Sequence, residues 1–422
     1  MAMSNKVYSG KERVEIAQNE YKNWKKGDTV TIKNDSKTIG YVSQTFNKIS
    51  GEQSFVITDH YVSPNAPLTE RETVKEVTVL YRGSTAPSVD NLFDPKNPTF
   101  WDVRADWVMN DIPTALQILS NGGAATMPQL QSSADTLQKT MRTYPNALVS
   151  VYGHSLGAMD GQYAISDLPE EFHERVDGVY VYQGPNIYSI LNKHQQKNAD
   201  KLTNAGKIFN FIDTKDLVPI GYSEHKKQVG TLIEVESKKV GLIDQHMWGG
   251  YQFDKDGNIL SRSTGKGQLA QHETNKELAR LTTLRKQLIR NNGGLSSSQE
   301  IFLDAMQAKA ITSGYKYTIQ AELDALTKWL TKEIENAHTL WAETKNDAHR
   351  WGEHLTVDEE LEALASGHVT EFSILRLPVS NYEDLLTILK TVQSELDELL
   401  DKISTTIDQQ VATDQELANY LF

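Results

Sequence analysis

A serine, a histidine and an aspartate can together turn a hydroxyl into a nucleophile for an acyl carbon, and this chain carries all three in a usable order. Ser155 is the centre of Gly153-His154-Ser155-Leu156-Gly157. Such a G-x-S-x-G pentapeptide does chemistry where a strand enters it and a helix leaves it, because the sharp turn lifts Oγ clear of the backbone. Leu148, Val149, Val151 and Tyr152 supply a β-branched and aromatic run before it, and residues 158–165 favour a helix after it. The turn leaves no room for side chains at its flanks, so Gly153 and Gly157 are required there. The amino end of the helix then aims free N–H groups at the reacting centre. An incidental cluster of small residues would not bring the strand and the helix with it.

The serine needs a base, and the base needs an oriented acid. In elbow-type hydrolases these follow the serine as acid, then histidine, each from a loop at the same end of the sheet. Asp213 closes a strand-like run over 207–212, and Asp216 lies in the loop beyond, before Leu217-Val218-Pro219. A carboxylate that must reach back to a histidine suits the loop, which favours Asp216 over Asp213. Among the later histidines, His225 precedes the next strand (230–235) and His272 lies past a change in chain character. His246 follows that strand and is the candidate base; otherwise it is a surface or packing residue. His154 adjoins the serine but diverges from it, so it is read as packing or orienting.

An oxyanion calls for two backbone N–H donors. Leu156, next after the nucleophile, offers one, and the loop Arg82-Gly83-Ser84 after a strand over 76–81 offers the other. Gly83 permits close approach, and the Ser84 hydroxyl adds a donor. Alone, this tripeptide is an ordinary turn; its place one strand-to-loop unit before the elbow gives it function. Leu92, Phe93, Phe100, Trp101, Trp107, Val108 and Met109 put apolar bulk after that loop, as a cover suited to acyl chains or as a cap on the core. Asp102 and Asp106 lack ligand spacing, and neither a metal nor a cofactor is expected.

The scaffold is legible around these residues. Ser9-Gly10-Lys11-Glu12 fits a capping box, with Val14, Ala17, Tyr21 and Trp24 on one helical face. Strands are expected over 29–32, 38–42, 55–58, 76–81 and 176–182, and helices over 101–119 and 127–143. Strands spaced by helical stretches give an α/β sheet, mostly parallel at its centre. Near 261–267 the character changes and no strand pattern follows. Ile319, Leu323, Leu326, Leu330, Ala337 and Trp341 advance in fours and threes, as do Leu385, Leu389, Val392, Leu396, Leu399 and Ile403. That spacing predicts long helices packed along their lengths, with Pro378 breaking the pattern between them. The division is therefore an α/β domain over 1–262 and an all-α elongated bundle or hairpin over 268–422.

A length of 422 residues accommodates both parts. The net charge of −13 argues against nucleic acid as a partner and gives no attraction to anionic lipid surfaces. The absence of cysteine removes disulfides, thiol catalysis and cysteine-ligated zinc. The amino-terminal stretch has no apolar core of signal-peptide length, and no apolar run approaches the ~18 residues of a membrane span. The expectation is a soluble protein made in the cytoplasm which, if it leaves the cell, needs no cleaved leader.

Leu80-Tyr81-Arg82-Gly83-Ser84, the elbow Gly153-His154-Ser155-Leu156-Gly157-Ala158 and Asp216-Leu217-Val218-Pro219 together resemble the ordered motifs of class 3 (fungal-type) lipases. The resemblance implies an α/β-hydrolase fold and hydrolysis of carboxylic esters. It also implies Ser155 as nucleophile, Asp216 as acid, and Ser84 and Leu156 as the oxyanion hole. His246 takes the base's place, although no motif of that family surrounds it. The overall layout resembles antibacterial lipase toxins of the Gram-positive type VII secretion system, in which an LXG-like helical targeting domain follows the lipase domain. That likeness implies a lipid or phospholipid substrate, small helical targeting proteins on the C-terminal domain, a membrane-anchored immunity lipoprotein, and secretion by the type VII route. Two alternatives stay open: a cytoplasmic esterase or thioesterase with a helical oligomerisation domain, and a hydrolase-like shell used only for binding.

Overall fold

The computed structural model describes residues 7–83, 128–223, 226–261 and 265–421. Among the described residues, eight strands form one sheet in chain order. β1 (Thr29–Ile32), β2 (Lys37–Asn47), β3 (Gln53–Thr58) and β4 (Glu76–Tyr81) pair antiparallel. From β4 onward the pairing is parallel, through β5 (Leu148–His154), β6 (Val176–Tyr182), β7 (Ile208–Ile212) and β8 (Thr231–Glu234). The helices are α1 (Gly10–Gln18), the one-turn α2 (Leu68–Arg71), α3 (Pro128–Thr143), α4 (Leu156–Ser166), α5 (Lys193–Asn204) and α6 (Leu242–His246). Then come α7 (Gly265–Asn292), α8 (Ser297–Trp351), α9 (Val357–Ser366) and α10 (Leu377–Leu421). This is a mixed α/β sheet followed by a long helical region.

The central strands are apolar on both faces because both are covered. Val149, Val151, Val179 and Val181 share one core with residues of α3, α4 and α5, such as Leu137, Ala164 and Leu202. Tyr152, Tyr180, Tyr182, Phe209 and Phe211 alternate to the other face, where Val14, Ile16 and Ala17 of α1 pack. Those rings stack along the sheet, Tyr152 on Tyr180 at 5.1 Å and Tyr182 on Phe211 at 4.8 Å. α1 starts with the expected capping box, Ser9 and Glu12 each satisfying the other's backbone.

β4 and β6 run as the sequence pattern marks them. β2 continues five residues past Val42, across a register shift between Val42 and Gln44. His246, expected in a loop, instead ends α6, whose five residues are too few to show a helical period. The helix expected over 101–119, the apolar stretch from Leu92 to Met109, Asp102, Asp106 and His225 lie outside the described residues.

Contacts divide the chain after Gly294, later than the change of character at 261–267. α7 opens the strand-free part of the sequence, yet it belongs to the first unit because charged groups pin it to the sheet. The Arg13 guanidinium grips both Glu273 oxygens at 2.7 and 2.8 Å, and Lys276 meets Asp177 at 2.5 Å. Tyr180 donates to Glu273 at 3.1 Å, and Thr231 donates to Gln268 at 2.6 Å.

In the second unit, Ser296 caps α8 with Gln299 in a reciprocal box. The 55 residues of α8 extend about 80 Å at the usual helical rise. α10 lies antiparallel to it, with Lys309 paired to Asp408, Lys316 near Asp397 and Asp401 at 3.8 Å, and the Trp329 ring edge-on to Tyr382. Leu323, Leu330, Ala337 and Trp341 of the first apolar series are buried, but Leu326 is exposed. The second series departs further: Leu385, Val392, Leu399 and Ile403 are exposed, and α10 buries Leu400 instead. A three-four spacing marks a stripe without fixing which edge of it the neighbouring helix covers. The break at Pro378 takes the form of a π turn over Phe372–Arg376, which feeds directly into α10. Proline has no N–H to return to the preceding turn, and a widened turn absorbs the loss. Among the described residues, no helix is long and apolar enough to cross a membrane.

Candidate active site

β5 ends at His154 and α4 begins at Leu156, leaving Ser155 alone in the turn with φ 56° and ψ −122°. That backbone is strained for a residue with a Cβ, and its neighbours hold it there. Ser155 N–H donates to the Tyr182 carbonyl at 2.9 Å, fastening the turn to β6. A Cβ at Gly153 would stand 2.2 Å from the Gly157 carbonyl oxygen, and one at Gly157 would stand 2.1 Å from that of Tyr81. Both glycines are thus dictated by contact within the elbow and with the end of β4. Ser155 is buried, and its Oγ has no hydrogen-bond partner among the described residues.

Asp216 follows β7 in a turn closed by its own N–H on the Asp213 carbonyl at 3.0 Å. Its Oδ1 accepts from Val218 N–H at 3.1 Å, and its Oδ2 lies 2.7 Å from His246 Nδ1. Both side chains are almost wholly buried, at 1% and 5% exposure, so the contact is shielded from water. An imidazole that gives its Nδ1 hydrogen to a carboxylate presents Nε2 as an acceptor. Among the described residues His246 Nε2 has no partner, the same condition as Ser155 Oγ.

The two aspartates have different surroundings. Asp213 Oδ1 accepts from Lys215 N–H at 2.9 Å and from the Ser237 hydroxyl at 2.7 Å, while Oδ2 accepts from the Gln245 amide. Its carboxylate is fully engaged at the strand end and holds the residue before His246, whereas Asp216 reaches His246 itself. Sequence reasoning passed over Gln245 and Gln183. Gln183 closes β6 at φ 52° and accepts from Asp213 N–H through Oε1 at 2.7 Å. Neither glutamine stands in a spacing that distinguishes it from a surface residue. His272 is not brought to this site; it sits against Phe209 on the α1 side of the sheet.

Leu156 is the first residue of α4, so its N–H is one that the helix itself does not use. At the end of β4, Gly83 N–H is occupied by the buried Glu20 Oε1 at 3.1 Å. A Cβ at Gly83 would meet Tyr21 Oη at 2.3 Å, which explains the glycine. Burial pushes the Glu20 carboxyl well above the usual carboxylate range, and does the same for Asp160 inside α4. Ser84 lies outside the described residues. Among those described, no group of three or more His, Asp and Glu side chains is arranged to hold a metal ion.

No curated protein matches the chain. Among solved structures, the Lip2 lipase from Yarrowia lipolytica aligns at 14% identity and a TM-score of 0.27, over 47% of this chain and 66% of that one. The chain therefore spans just under two thirds of that lipase. Residues 124–291, from before α3 to the last turns of α7, match the sequence model of the family described as Mbeg1-like, which is lipase-like. Residues 124–291 of the chain are thus similar to a lipase-like family.

Proposed function

We propose that the chain is a serine acyl-ester hydrolase of lipase or phospholipase A type, with Ser155 as nucleophile, His246 as base and Asp216 as acid. The buried Asp216–His246 contact of 2.7 Å, beside an elbow that strains Ser155, carries this reading. His246 Nε2 takes the Oγ proton as Oγ adds to the acyl carbon, and Asp216 holds the resulting imidazolium. The tetrahedral oxygen accepts from Leu156 N–H and from Ser84. Collapse breaks the ester bond, and the leaving alcohol takes the proton back from His246. A water then repeats the sequence, releasing the acid and restoring the serine. Purified protein should release acid from short p-nitrophenyl esters and from phospholipid vesicles. Ser155→Ala should abolish both activities, along with fluorophosphonate labelling; hydrolysis that survives it ends the reading.

The helical unit is proposed as an LXG-like targeting domain that carries the enzyme out by the type VII route. Small helical proteins would dock on it, and a membrane-anchored lipoprotein would neutralise the enzyme. The supporting feature is an exposed apolar stripe on α8. Tyr315, Leu326, Trp329, Leu340 and Trp351 recur at intervals close to whole numbers of turns and are 47–83% exposed. Light scattering separates this from the second reading, a cytoplasmic esterase or thioesterase. A monomer that binds co-expressed small helical proteins supports targeting, and a stable homodimer through the helices supports oligomerisation.

A further inference from the structure

His154, the residue before the elbow serine, is fully buried, and its ring is held on every side. Nε2 lies 2.8 Å from the backbone carbonyl oxygen of His246, and Nδ1 lies 2.6 Å from the Tyr21 hydroxyl. A carbonyl oxygen only accepts, so the hydrogen is on Nε2; the neutral ring then offers Nδ1 as acceptor, and Tyr21 donates to it. The Trp248 ring lies over the imidazole at 3.9 Å between centroids, the His246 ring follows at 4.5 Å, and Tyr21 meets it edge-on at 5.7 Å. Strand alternation sends the side chain of residue 154 to the α1 face with Tyr152, while Ser155 is lifted out at the rim.

We propose that His154 is a positioning residue that ties the elbow presenting Ser155 to the backbone of His246, with the Tyr21 hydroxyl fixing which ring nitrogen carries the hydrogen. The inference rests on His246 being the base of the proposed hydrolase. From the other side Asp213 grips the preceding residue, since Gln245 donates to its carboxylate and to the Lys238 carbonyl at 3.1 Å. The base is therefore held at its ring by Asp216, at its own carbonyl by His154, and through its neighbour by Asp213. The two residues beside the sequence's catalytic candidates thus set the distance over which the proton moves. A misplacement of about 1 Å at such a site costs on the order of 10²-fold in rate, which sets the scale of the effect.

The experiment compares three variants of the full chain in steady-state hydrolysis of a short p-nitrophenyl ester. His154→Phe keeps an aromatic ring in the pocket without the N–H, His154→Gln keeps an N–H donor without the ring, and Tyr21→Phe removes only the hydroxyl. The expected result is a kcat lowered on the order of 10²-fold by His154→Phe, with KM within about twofold. His154→Gln should recover most of that loss, and Tyr21→Phe should lower kcat by roughly tenfold. A residue that only fills space would give the opposite order, Gln worse than Phe, and that order overturns the proposal. So does a wild-type kcat in Tyr21→Phe, a substitution mild enough to leave folding intact if His154→Phe does not. Ser155→Ala and His246→Ala run alongside: activity in either brings down the catalytic reading itself. Inactivity in both, with a wild-type kcat in His154→Phe, brings down this inference alone.

Discussion

Two carboxylates three positions apart differ in the partners they hold. Asp213 spends both oxygens on Lys215, Ser237 and Gln245; Asp216 keeps Oδ2 for His246. Replacing either by asparagine should therefore have separate signatures. Asp216→Asn puts an amide where the imidazole hydrogen was accepted, and loss of the correct tautomer should lower kcat by about 10⁴ with little change in melting temperature. Asp213→Asn sets an NH₂ against the Gln245 amide in a fully buried pocket, and should cost about 1–3 kcal/mol of stability, read by denaturant titration. The strand-turn-helix around Ser155 and its two glycines were legible because close packing there constrains neighbouring types strictly. Tyr21, Gln183 and Gln245 were not. Their types are unremarkable, and their roles come from partners up to 133 residues away.

Among the elements, α7 shows how far charge can override sequence character. It reads as the start of a helical domain, yet Arg13, Tyr180 and Asp177 claim it for the sheet. Burial opposes ionisation of Glu273 and Asp177, but Arg13 and Lys276 outweigh it and hold both carboxyls below their usual range. Burial also lowers His272 to about 4, so the folded state keeps it neutral. An unfolded histidine takes up its proton below about 6.5, and the folded one does so only near 4. Stability from His272 is therefore complete above 6.5 and drains away as pH falls through that window. His272→Phe, which keeps a ring against Phe209, should remove this component. Its melting temperature relative to wild type should rise steadily from pH 6.5 to pH 4; parallel curves would contradict the assignment. Several strand positions and the cap of α1 were visible in the pattern, because they follow from local propensity. The docking of α7 was not, because it depends on side chains that meet across the sheet.

Across the whole chain, the division into an α/β part and a helical part was readable from the loss of strand pattern, but its place was not. A chain ended at 262 should lose the partners of Arg13 and Asp177 and leave two buried charges uncompensated, at a cost of about 3–5 kcal/mol for each broken pair. A chain ended at Gly294 keeps every one of those contacts. We expect the longer fragment to hydrolyse p-nitrophenyl esters at the rate of the full protein and to melt cooperatively. The shorter one should aggregate or melt far lower, and equal stability of the two would place the boundary at the change of sequence character after all.

The grip of Arg13 on Glu273 joins the first helix to one that leaves the ribosome after every strand is already outside. A nascent chain holding all the described strands still lacks the carboxylate that faces the Arg13 guanidinium beneath its tyrosines. Completion of the first unit therefore waits on a helix drawn from the strand-free part of the sequence.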